Sequence, residues 1–506
     1  MAVTPAALGA ATTTTTTSPS STTTTISPAL LAALNELDEQ AVWWQYKALE
    51  AGETMAKSLL EDPSHREPVN ATTWGWLTPK PGKPPIVGTA NLAAEHGYAV
   101  ENYTVRTPDG YLLGLFRLPN PGKPVVLLAH GLLSSSADFL VLGKGRALGF
   151  VLHDAGFDVW MYNARGTTPS RRHEYLHPWK AKFWDFSLHE IALGDLPATI
   201  DFVLKNTGQP QLHYVGYCQG STLFFILGSE RTEYMDKVKS FVGLAPVAYL
   251  RDIRSLPLRL MAAAPYTLYF LLKLVGLNEF LPNNKFMSLV GEVMCNDNEI
   301  TQPICTNIIF MFFGHDTEQM NQTALPDLMA NMPAGASTKQ MLHFGQQVNH
   351  RHLVFKMFDY GRMGNIRKYH SFKAPEYDLT RITVPTYMFY SENDLLCVQS
   401  NIDELIRKLP NIQKDGVRKI NNNKFNHIGY LLAKNAKELV FDDVVDVLKK
   451  MEASQPSSAT PGSSTASTAS TGSTGSTAST GSTASTGSTA STSSGPPGST
   501  VTEVSV

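Results

Sequence analysis

Apolar segments of strand length alternate with segments of helical periodicity along most of this 506-residue chain. The apolar segments are residues 125–129, 159–162, 212–217, 241–245 and 386–390. Helical patterns lie between several of them, at 147–155 and 196–205. Strands that are apolar throughout and alternate with helices are typical of a mostly parallel sheet that is covered on both faces. The sequence therefore predicts an α/β fold.

The long interval 249–378 interrupts this alternation and predicts an inserted helical cap. We expect six segments: a Thr/Ser-rich disordered start, an N-terminal helix and linker, the first part of the core, the cap, the second part of the core, and a disordered Ser/Thr/Gly/Ala-rich tail. Their bounds are 1–29, 30–96, 97–248, 249–378, 379–452 and 453–506. Within the two terminal segments, residues 12–25 and 453–500 lack the apolar side chains that a core needs. The tail is consistent with either an O-glycosylated spacer or a repeat expansion that has no function.

The charge and cysteine content exclude several classes of protein. Lys and Arg number 42 against 44 Asp and Glu, a net charge of −2, so the chain has no basic footprint for nucleic acid. No apolar run reaches the roughly 18 residues that a membrane-spanning helix needs. The 4 cysteines are too few for a disulfide scaffold and form no CxxC zinc motif. We therefore expect no nucleic-acid partner, no transmembrane segment and no metal site.

Residues 216–220, Gly-Tyr-Cys-Gln-Gly, follow an apolar strand and precede a helical segment. Glycines on either side of Cys218 allow a sharp strand-to-helix turn that exposes its side chain, as in a nucleophile elbow. The N–H groups at the start of a helix also favour negative charge. A thiol in this position, beside a histidine, is predicted to react as a thiolate nucleophile. The alternative is a small buried cysteine in an ordinary turn.

Residues 130–133, His-Gly-Leu-Leu, follow the apolar segment 125–129 directly. In an elbow-type esterase, the loop after such a strand gives one backbone N–H to the oxyanion hole, and the residue after the nucleophile gives the other. Here these donors are Leu132 and Gln219. Taken alone, the tetrapeptide also fits a plain strand-ending turn.

Candidate acid and base residues lie downstream. Asp394 follows the strand 386–390, and His427 follows the candidate strand 417–420. Nucleophile, acid and then base is the chain order of the triad in elbow-type hydrolases. Ser221 is not expected to replace Cys218, because it lies about one helical turn beyond the elbow.

These motifs and several others resemble the acid-lipase family of α/β-hydrolases, which includes gastric and lysosomal acid lipases. The resemblance covers residues 97–450, about seven tenths of the chain. The matching segments are 107–111, 130–133, 158–160, 163–166, 183–187, 195–198, 212–216, 244–248 and 332–335. It implies an α/β-hydrolase core with a mostly parallel central sheet and an inserted helical cap.

The resemblance also implies a function, the hydrolysis of fatty-acyl esters such as acylglycerols or steryl esters, without a metal or organic cofactor. Contact with the lipid would be transient, and the protein would be secreted or lysosomal. Asp394 would be the acid, His427 the base, and Leu132 and Gln219 the oxyanion donors, with Cys218 at the nucleophile position. The resemblance also implies a cap disulfide, Cys295–Cys305. Independently of it, the residues form three glycosylation sequons that would fit secretion, at Asn70, Asn102 and Asn321.

Three features depart from the family pattern. The family's elbow reads Gly-His-Ser-Gln-Gly, whereas this chain has Tyr217 and Cys218. The family usually has Asp two residues after the catalytic His, whereas this chain has Gly429. Residues 1–26 also lack the basic start that is typical of a signal peptide.

The cysteine leaves two functions open. Sulfur is larger than oxygen, so the carbonyl that it attacks is displaced from the oxyanion donors, which lowers oxyester turnover by roughly a hundredfold. An oxyester has a second problem, because thiolate leaves more readily than its alkoxide and the intermediate tends to return to substrate. A thioester avoids this second problem. The chain is therefore either an ester or thioester hydrolase, or a lipase-like lipid carrier. The retained Asp394, His427 and Gln219 favour the hydrolase, because a carrier has no need of them.

Overall fold

The structure is a computed structural model that describes residues 87–281 and 302–454, apart from the side chains of 302–304. The Thr/Ser-rich start, the predicted helix within 30–60 and the Ser/Thr-rich tail lie outside the described residues. The strands are β1 Glu101–Arg106, β2 Tyr111–Leu118, β3 Val125–Ala129, β4 Asp158–Tyr162, β5 Arg172–His173, β6 Leu212–Tyr217, β7 Val238–Leu244, β8 Glu279–Phe280, β9 Ala336–Ser337, β10 Thr386–Tyr390 and β11 Ile412–Lys419.

Nine of the described strands form one sheet in the order β1-β2-β4-β3-β6-β7-β10-β11, with the short β5 paired to β2. Six neighbouring strands of this sheet run parallel: β4, β3, β6, β7, β10 and β11. At one edge, β2 pairs with β4 and with β1 in antiparallel fashion. The predicted α/β class with a mostly parallel sheet is confirmed. Every residue of β3, β4 and β6 is buried, as expected for strands that helices cover on both faces.

The edge strand β11 has a different composition. It starts at Ile412, five residues before the predicted strand 417–420, and it includes exposed Lys414 and Asp415. Charged side chains on an edge strand discourage pairing with another chain. An apolar pattern therefore marks only the end of this strand.

Helices connect the parallel strands and cover the sheet. The main ones are α1 Thr89–Glu95, α2 Leu148–Asp154, α3 Leu196–Thr207, α4 Gln219–Glu230, α5 Leu256–Met261, α6 Pro265–Leu274, α7 Gln302–Phe313, α8 Leu325–Asn331, α9 Thr338–Val348, α10 Gly361–Tyr369, α11 Gln399–Lys408, α12 Gly429–Leu432 and α13 Asp442–Ala453. A helical turn, Leu188–Glu190, and a π-helical turn, Ile191–Asp195, lead into α3. No helix among the described residues combines the length and the apolar character that crossing a bilayer requires.

The chain between β7 and β10 forms the helical cap, which carries α5 to α10 among its described elements. A cavity of about 240 Å³ lies between these helices and the ends of β3 and β6. Its lining is almost entirely apolar, with Leu268, Leu272 and Phe344 on the cap side and Cys218 and His427 on the core side. The fold therefore places an apolar chamber directly over the predicted elbow.

Candidate active site

Cys218 lies between the last residue of β6 and the first residue of α4. Its backbone has φ 49° and ψ −113°, a region that non-glycine residues rarely adopt. The turn is held by hydrogen bonds: the Cys218 N–H donates to Leu244 O at 2.9 Å, and Ser221 N–H donates to Cys218 O at 3.0 Å. Strain of this kind persists where the surrounding structure imposes it, and it occurs often at functional sites. The turn has the geometry of a nucleophile elbow and presents a half-buried thiol to the cavity.

The two flanking glycines are required by close packing. A Cβ on Gly216 would lie 2.7 Å from the carbonyl carbon of Gly220, and a Cβ on Gly220 would lie 2.1 Å from the carbonyl oxygen of Ala129. Real Cβ atoms do not approach so closely. The Gly-x-Cys-x-Gly pattern therefore reflects sterics at the point where the strand and the helix meet.

His427 and Asp394 form a buried pair. His427 Nδ1 and Asp394 Oδ2 are 2.7 Å apart, and the side chains are 2% and 0% exposed. The other carboxylate oxygen of Asp394 accepts from the backbone N–H groups of Leu396 at 2.7 Å and Cys397 at 2.8 Å. These bonds fix the carboxylate, which in turn holds the imidazole in one orientation.

Nε2 of His427 makes no hydrogen bond of ordinary geometry to a described residue. Burial lowers the pKa of His427, but the charges of Asp394 and then of Cys218 outweigh it and raise this pKa to about 10. Cys218 and His427 both line the cavity, and no hydrogen bond of ordinary geometry joins His427 Nε2 to the thiol. Catalytic hydrogen bonds are often long in the absence of substrate.

The loop after β3 packs against the elbow. A Cβ on Gly131 would lie 3.3 Å from Cβ of Cys218, so the loop that carries Leu132 packs against the elbow. Within the described chain, neither Leu132 N–H nor Gln219 N–H donates to a backbone carbonyl. Assignment of these two N–H groups as oxyanion donors stays a prediction.

His130 stabilises the loop that carries Leu132. Its Nδ1 donates to Gly131 O at 2.7 Å, and its Nε2 accepts from Ala164 N–H at 3.0 Å, an arrangement that fixes a neutral imidazole. Burial lowers the pKa of His130 to about 4, against the opposing bond to Gly131. His130 is thus a structural residue of the loop that carries Leu132.

The remaining predicted site residues differ in position. Ser221 is fully buried and donates to Gly216 O at 2.6 Å, which agrees with its rejection as a nucleophile. Asn102 is exposed on β1, whereas Asn321 is 6% exposed and accepts from the N–H groups of Thr323 and Ala324, which counts against a glycan there.

Two predictions involve residues outside the described chain. Asn70 and Cys295 lie in segments that the structure does not describe, so glycosylation at Asn70 and the Cys295–Cys305 bond stay predictions. Among the described residues, His, Cys, Asp and Glu side chains form no cluster of three or more that would hold a metal ion.

Three residues of the site were not found from the sequence. The hydroxyl of Tyr217 donates a hydrogen bond of 3.0 Å to the His427 carbonyl. The ring of Phe313, from the cap, stacks on the His427 ring with 5.9 Å between the ring centroids. Gln340 from α9 donates to Gln219 Oε1 at 2.5 Å. No local pattern in the sequence assigns a contact with His427 or Gln219 to any of the three.

Comparison with known proteins agrees with this geometry. Residues 89–143 match a family model described as a partial alpha/beta-hydrolase lipase region, and residues 124–289 match an alpha/beta hydrolase fold model. The chain is 37% identical to Lipase 3 of Drosophila melanogaster over 73% of its own length and 95% of that protein. It is 35% identical to gastric triacylglycerol lipase of Rattus norvegicus, over 73% of its own length and 93% of the relative. The chain belongs to the acid-lipase family of α/β-hydrolases.

Membership of the acid-lipase family makes the chain a lipase-type ester hydrolase. Lipase 1 of Drosophila melanogaster, 38% identical over 73% of this chain and 81% of that protein, is a further relative. One departure from the family pattern has a local explanation: a Cβ on Gly429 would lie 3.0 Å from the ring of Phe425. Glycine therefore fits at position 429, whereas an aspartate there would require a shift of the Phe425 ring.

Proposed function

We propose that this chain hydrolyses esters of fatty acids, acylglycerols or steryl esters, through a triad of Cys218, His427 and Asp394. The observation that carries the proposal is the buried His427–Asp394 pair beside a strained elbow cysteine that opens into an apolar cavity. A cavity with this lining suits an acyl chain, and the elbow brings the scissile carbonyl to the sulfur.

In the acylation step, His427 Nε2 takes the Cys218 proton and the sulfur forms a bond to the ester carbonyl carbon. The N–H groups of Leu132 and Gln219 stabilise the oxygen anion of the tetrahedral intermediate. The intermediate collapses by breaking the C–O bond, and His427 gives the proton to the departing alcohol. The acyl group is then held on Cys218 as a thioester.

In the deacylation step, His427 Nε2 takes a proton from water, and the water oxygen attacks the thioester carbonyl. The second tetrahedral intermediate breaks its C–S bond, which releases the fatty acid and returns the proton to the sulfur. Asp394 keeps the imidazole oriented and stabilises its charged form in both steps. No metal or organic cofactor takes part in these steps.

A test should compare the parent protein with Cys218→Ser and Cys218→Ala on short- and long-chain oxyesters and thioesters. We expect the parent to hydrolyse both, with a preference for thioesters. Cys218→Ser should act faster than the parent on oxyesters by roughly a hundredfold, because an oxygen nucleophile fits the oxyanion donors. Cys218→Ala should be inactive. Turnover by Cys218→Ala equal to the parent would exclude the triad.

A second candidate function is that of a lipid carrier. It is favoured by the apolar cavity together with a cysteine at the nucleophile position, because binding needs the former and does not need turnover. Its signature in the same experiment is micromolar binding of fluorescent fatty-acyl probes without hydrolysis of any ester by the parent.

We also infer that the cap makes transient contact with a lipid surface. Leu260, Phe270 and Leu274, from α5 and α6, are 66%, 65% and 71% exposed. Exposed apolar groups on one region suit contact with lipid. Secretion or delivery to lysosomes, a glycan at Asn102 and the Cys295–Cys305 bond belong to the same proposal, which mass spectrometry of secreted material would test.

A further inference from the structure

One short stretch of the cap contacts both loops that supply the oxyanion donors. Ala334 N–H donates to the carbonyl of Leu133, the neighbour of Leu132, at 2.6 Å. Six residues later, Gln340 Nε2 donates to Gln219 Oε1 at 2.5 Å. The two glutamines are 2% and 3% exposed. The segment 334–340 thus bridges the two sides of the oxyanion hole, and we refer to it as the brace.

The brace is itself fixed to the core. Ser337 Oγ donates to Trp184 O at 2.7 Å, and Thr168 N–H donates to Ala334 O at 2.9 Å. Ser337 also caps α9 by accepting from Lys339 N–H at 3.1 Å. These bonds hold the start of α9 in a defined position, so that Gln340 reaches Gln219 from a rigid support.

The direction of the Gln219 N–H depends on the strained backbone of Cys218, because the Cys218–Gln219 peptide carries that donor. A strained conformation is kept only where neighbouring contacts impose it. The Gln219 side chain is anchored to the brace through Oε1, which restricts rotation of Gln219 about the elbow. An oxyanion donor acts at full strength only when its direction is set before the reaction.

We propose that Gln340 is a positioning residue that fixes the Gln219 N–H toward the oxyanion, so that the cap contributes to stabilisation of the transition state. This inference rests on the proposed hydrolase function. Gln340 does not touch the reacting atoms and acts through Gln219. If the bond served only to attach the cap, its loss would lower stability and leave the oxyanion hole unchanged.

Two reactions of the same sulfur separate these roles. Acylation of Cys218 by an activated ester such as p-nitrophenyl butyrate passes through an oxyanion. Alkylation of Cys218 by iodoacetamide is a displacement at carbon and forms no oxyanion. A residue that positions an oxyanion donor affects the first rate and not the second.

The experiment measures both rates by intact-protein mass spectrometry in Gln340→Met and in the matched control Gln347→Met. Gln347 lies on the same helix and is also 3% exposed. Among the described residues, its side chain bonds only to the backbone of Lys356, within the cap. We expect acylation of Gln340→Met to fall by roughly 10- to 100-fold, the range produced by misplacement of a catalytic group. Alkylation of Gln340→Met, and both rates in the control, should stay near those of the parent.

Two further variants keep the result interpretable if Gln340→Met unfolds. Gln219→Met and the double variant Gln219→Met/Gln340→Met remove the same bond, and the double variant buries no unpaired amide. We expect the same loss of acylation in each, because contacts that act as one unit are not additive. Equal acylation rates in Gln340→Met and the control overturn the role of Gln340 alone. A parent protein that is alkylated but never acylated overturns the proposed hydrolase function, and this inference with it.

Discussion

The hydroxyl of Tyr217 donates a 3.0 Å hydrogen bond to the main-chain carbonyl of His427, which lies 210 residues later in the chain. The Tyr217 ring also lies 5.4 Å from the His427 ring, and Phe313 stacks on that ring at 5.9 Å. The residue that precedes Cys218 thereby holds the loop that carries His427. Where the family pattern has histidine at this position, this chain has a longer side chain that reaches the neighbouring loop.

Replacing Tyr217 by Phe should weaken the position of His427. Loss of the hydrogen bond should lower the free energy of unfolding by about 0.5–1.5 kcal/mol. Ester turnover should fall between several-fold and roughly a hundredfold, because the imidazole loses part of its support. The control is Tyr430→Phe, which removes a similar bond to Phe389 O at 3.0 Å without a contact to the His427 carbonyl. Equal losses of turnover in the two variants would contradict a specific role for Tyr217.

The two free thiols among the described cysteines should differ in reactivity. Cys218 is half-buried and lines the cavity, whereas Cys397 is fully buried and donates to Pro246 O at 3.2 Å. Burial, followed by the charge of Asp394, raises the pKa of Cys397 well above that of a free thiol. Iodoacetamide should therefore label Cys218 first near neutral pH, and His427→Ala should slow that labelling. Peptide mapping that finds both cysteines labelled at one rate would refute a reactive elbow thiol.

Asp138 should make the fold less stable at alkaline pH. Burial raises the pKa of this carboxyl to about 7, against opposing bonds from Ser134 and Ser135, and its Oδ1 has no partner among the described residues. Because the folded-state pKa is above the unfolded one, the stabilising effect of protonation is full below about pH 4. This effect is lost as the pH rises through about 7.

Asp138→Asn tests this directly, because the amide stays neutral at every pH. We expect the variant to match the parent near pH 4 and to be more stable at pH 8, by on the order of 2–4 kcal/mol at about 1.4 kcal/mol per pKa unit. Urea unfolding at both pH values measures the difference. The control, Asp446→Asn on the exposed face of α13, should change little at either pH. If Asp138→Asn raised the free energy of unfolding equally at pH 4 and pH 8, titration of this carboxyl would be ruled out.

A larger side chain in the cavity should slow the hydrolysis of long-chain esters more than that of short-chain esters. Met341 lines the cavity from α9, and Met341→Trp should exclude long chains while short chains still reach the elbow. The ratio of palmitate to butyrate hydrolysis should fall by roughly tenfold or more, since a few lost methylene contacts amount to about 1–3 kcal/mol. Met363→Trp is the control, because Met363 is 70% exposed and lies outside the cavity lining. An unchanged ratio in Met341→Trp would place the acyl chain elsewhere.

The core and the chain order of the site were predictable because they depend on local patterns. The elbow at Cys218 follows from glycine spacing between a strand and a helix, and parallel strands bring their carboxyl ends to one edge of the sheet. Asp394 and His427 each follow a strand at that edge. Their proximity to each other therefore follows from the strand assignments.

The cap contacts were not predictable in this way. Gln340 meets Gln219 across 121 residues, and the pairing depends on how the inserted helices pack on the core. The burial of Asp138 was not predictable either, since an aspartate is usually exposed. In a single sequence, nothing marks a glutamine or an aspartate as buried.

The brace also bears on how this enzyme can change over time. Thr338 and Met341, within or beside the brace, line the cavity that is to receive the acyl chain, while Gln340 between them reaches the elbow. A substitution that reshapes the chamber for another lipid therefore acts on the same helical turn that, under the proposed mechanism, positions Gln219. Substrate preference and catalytic rate are expected to drift together in this chain, and new specificities should arise more readily from α5 and α6, on the far side of the chamber.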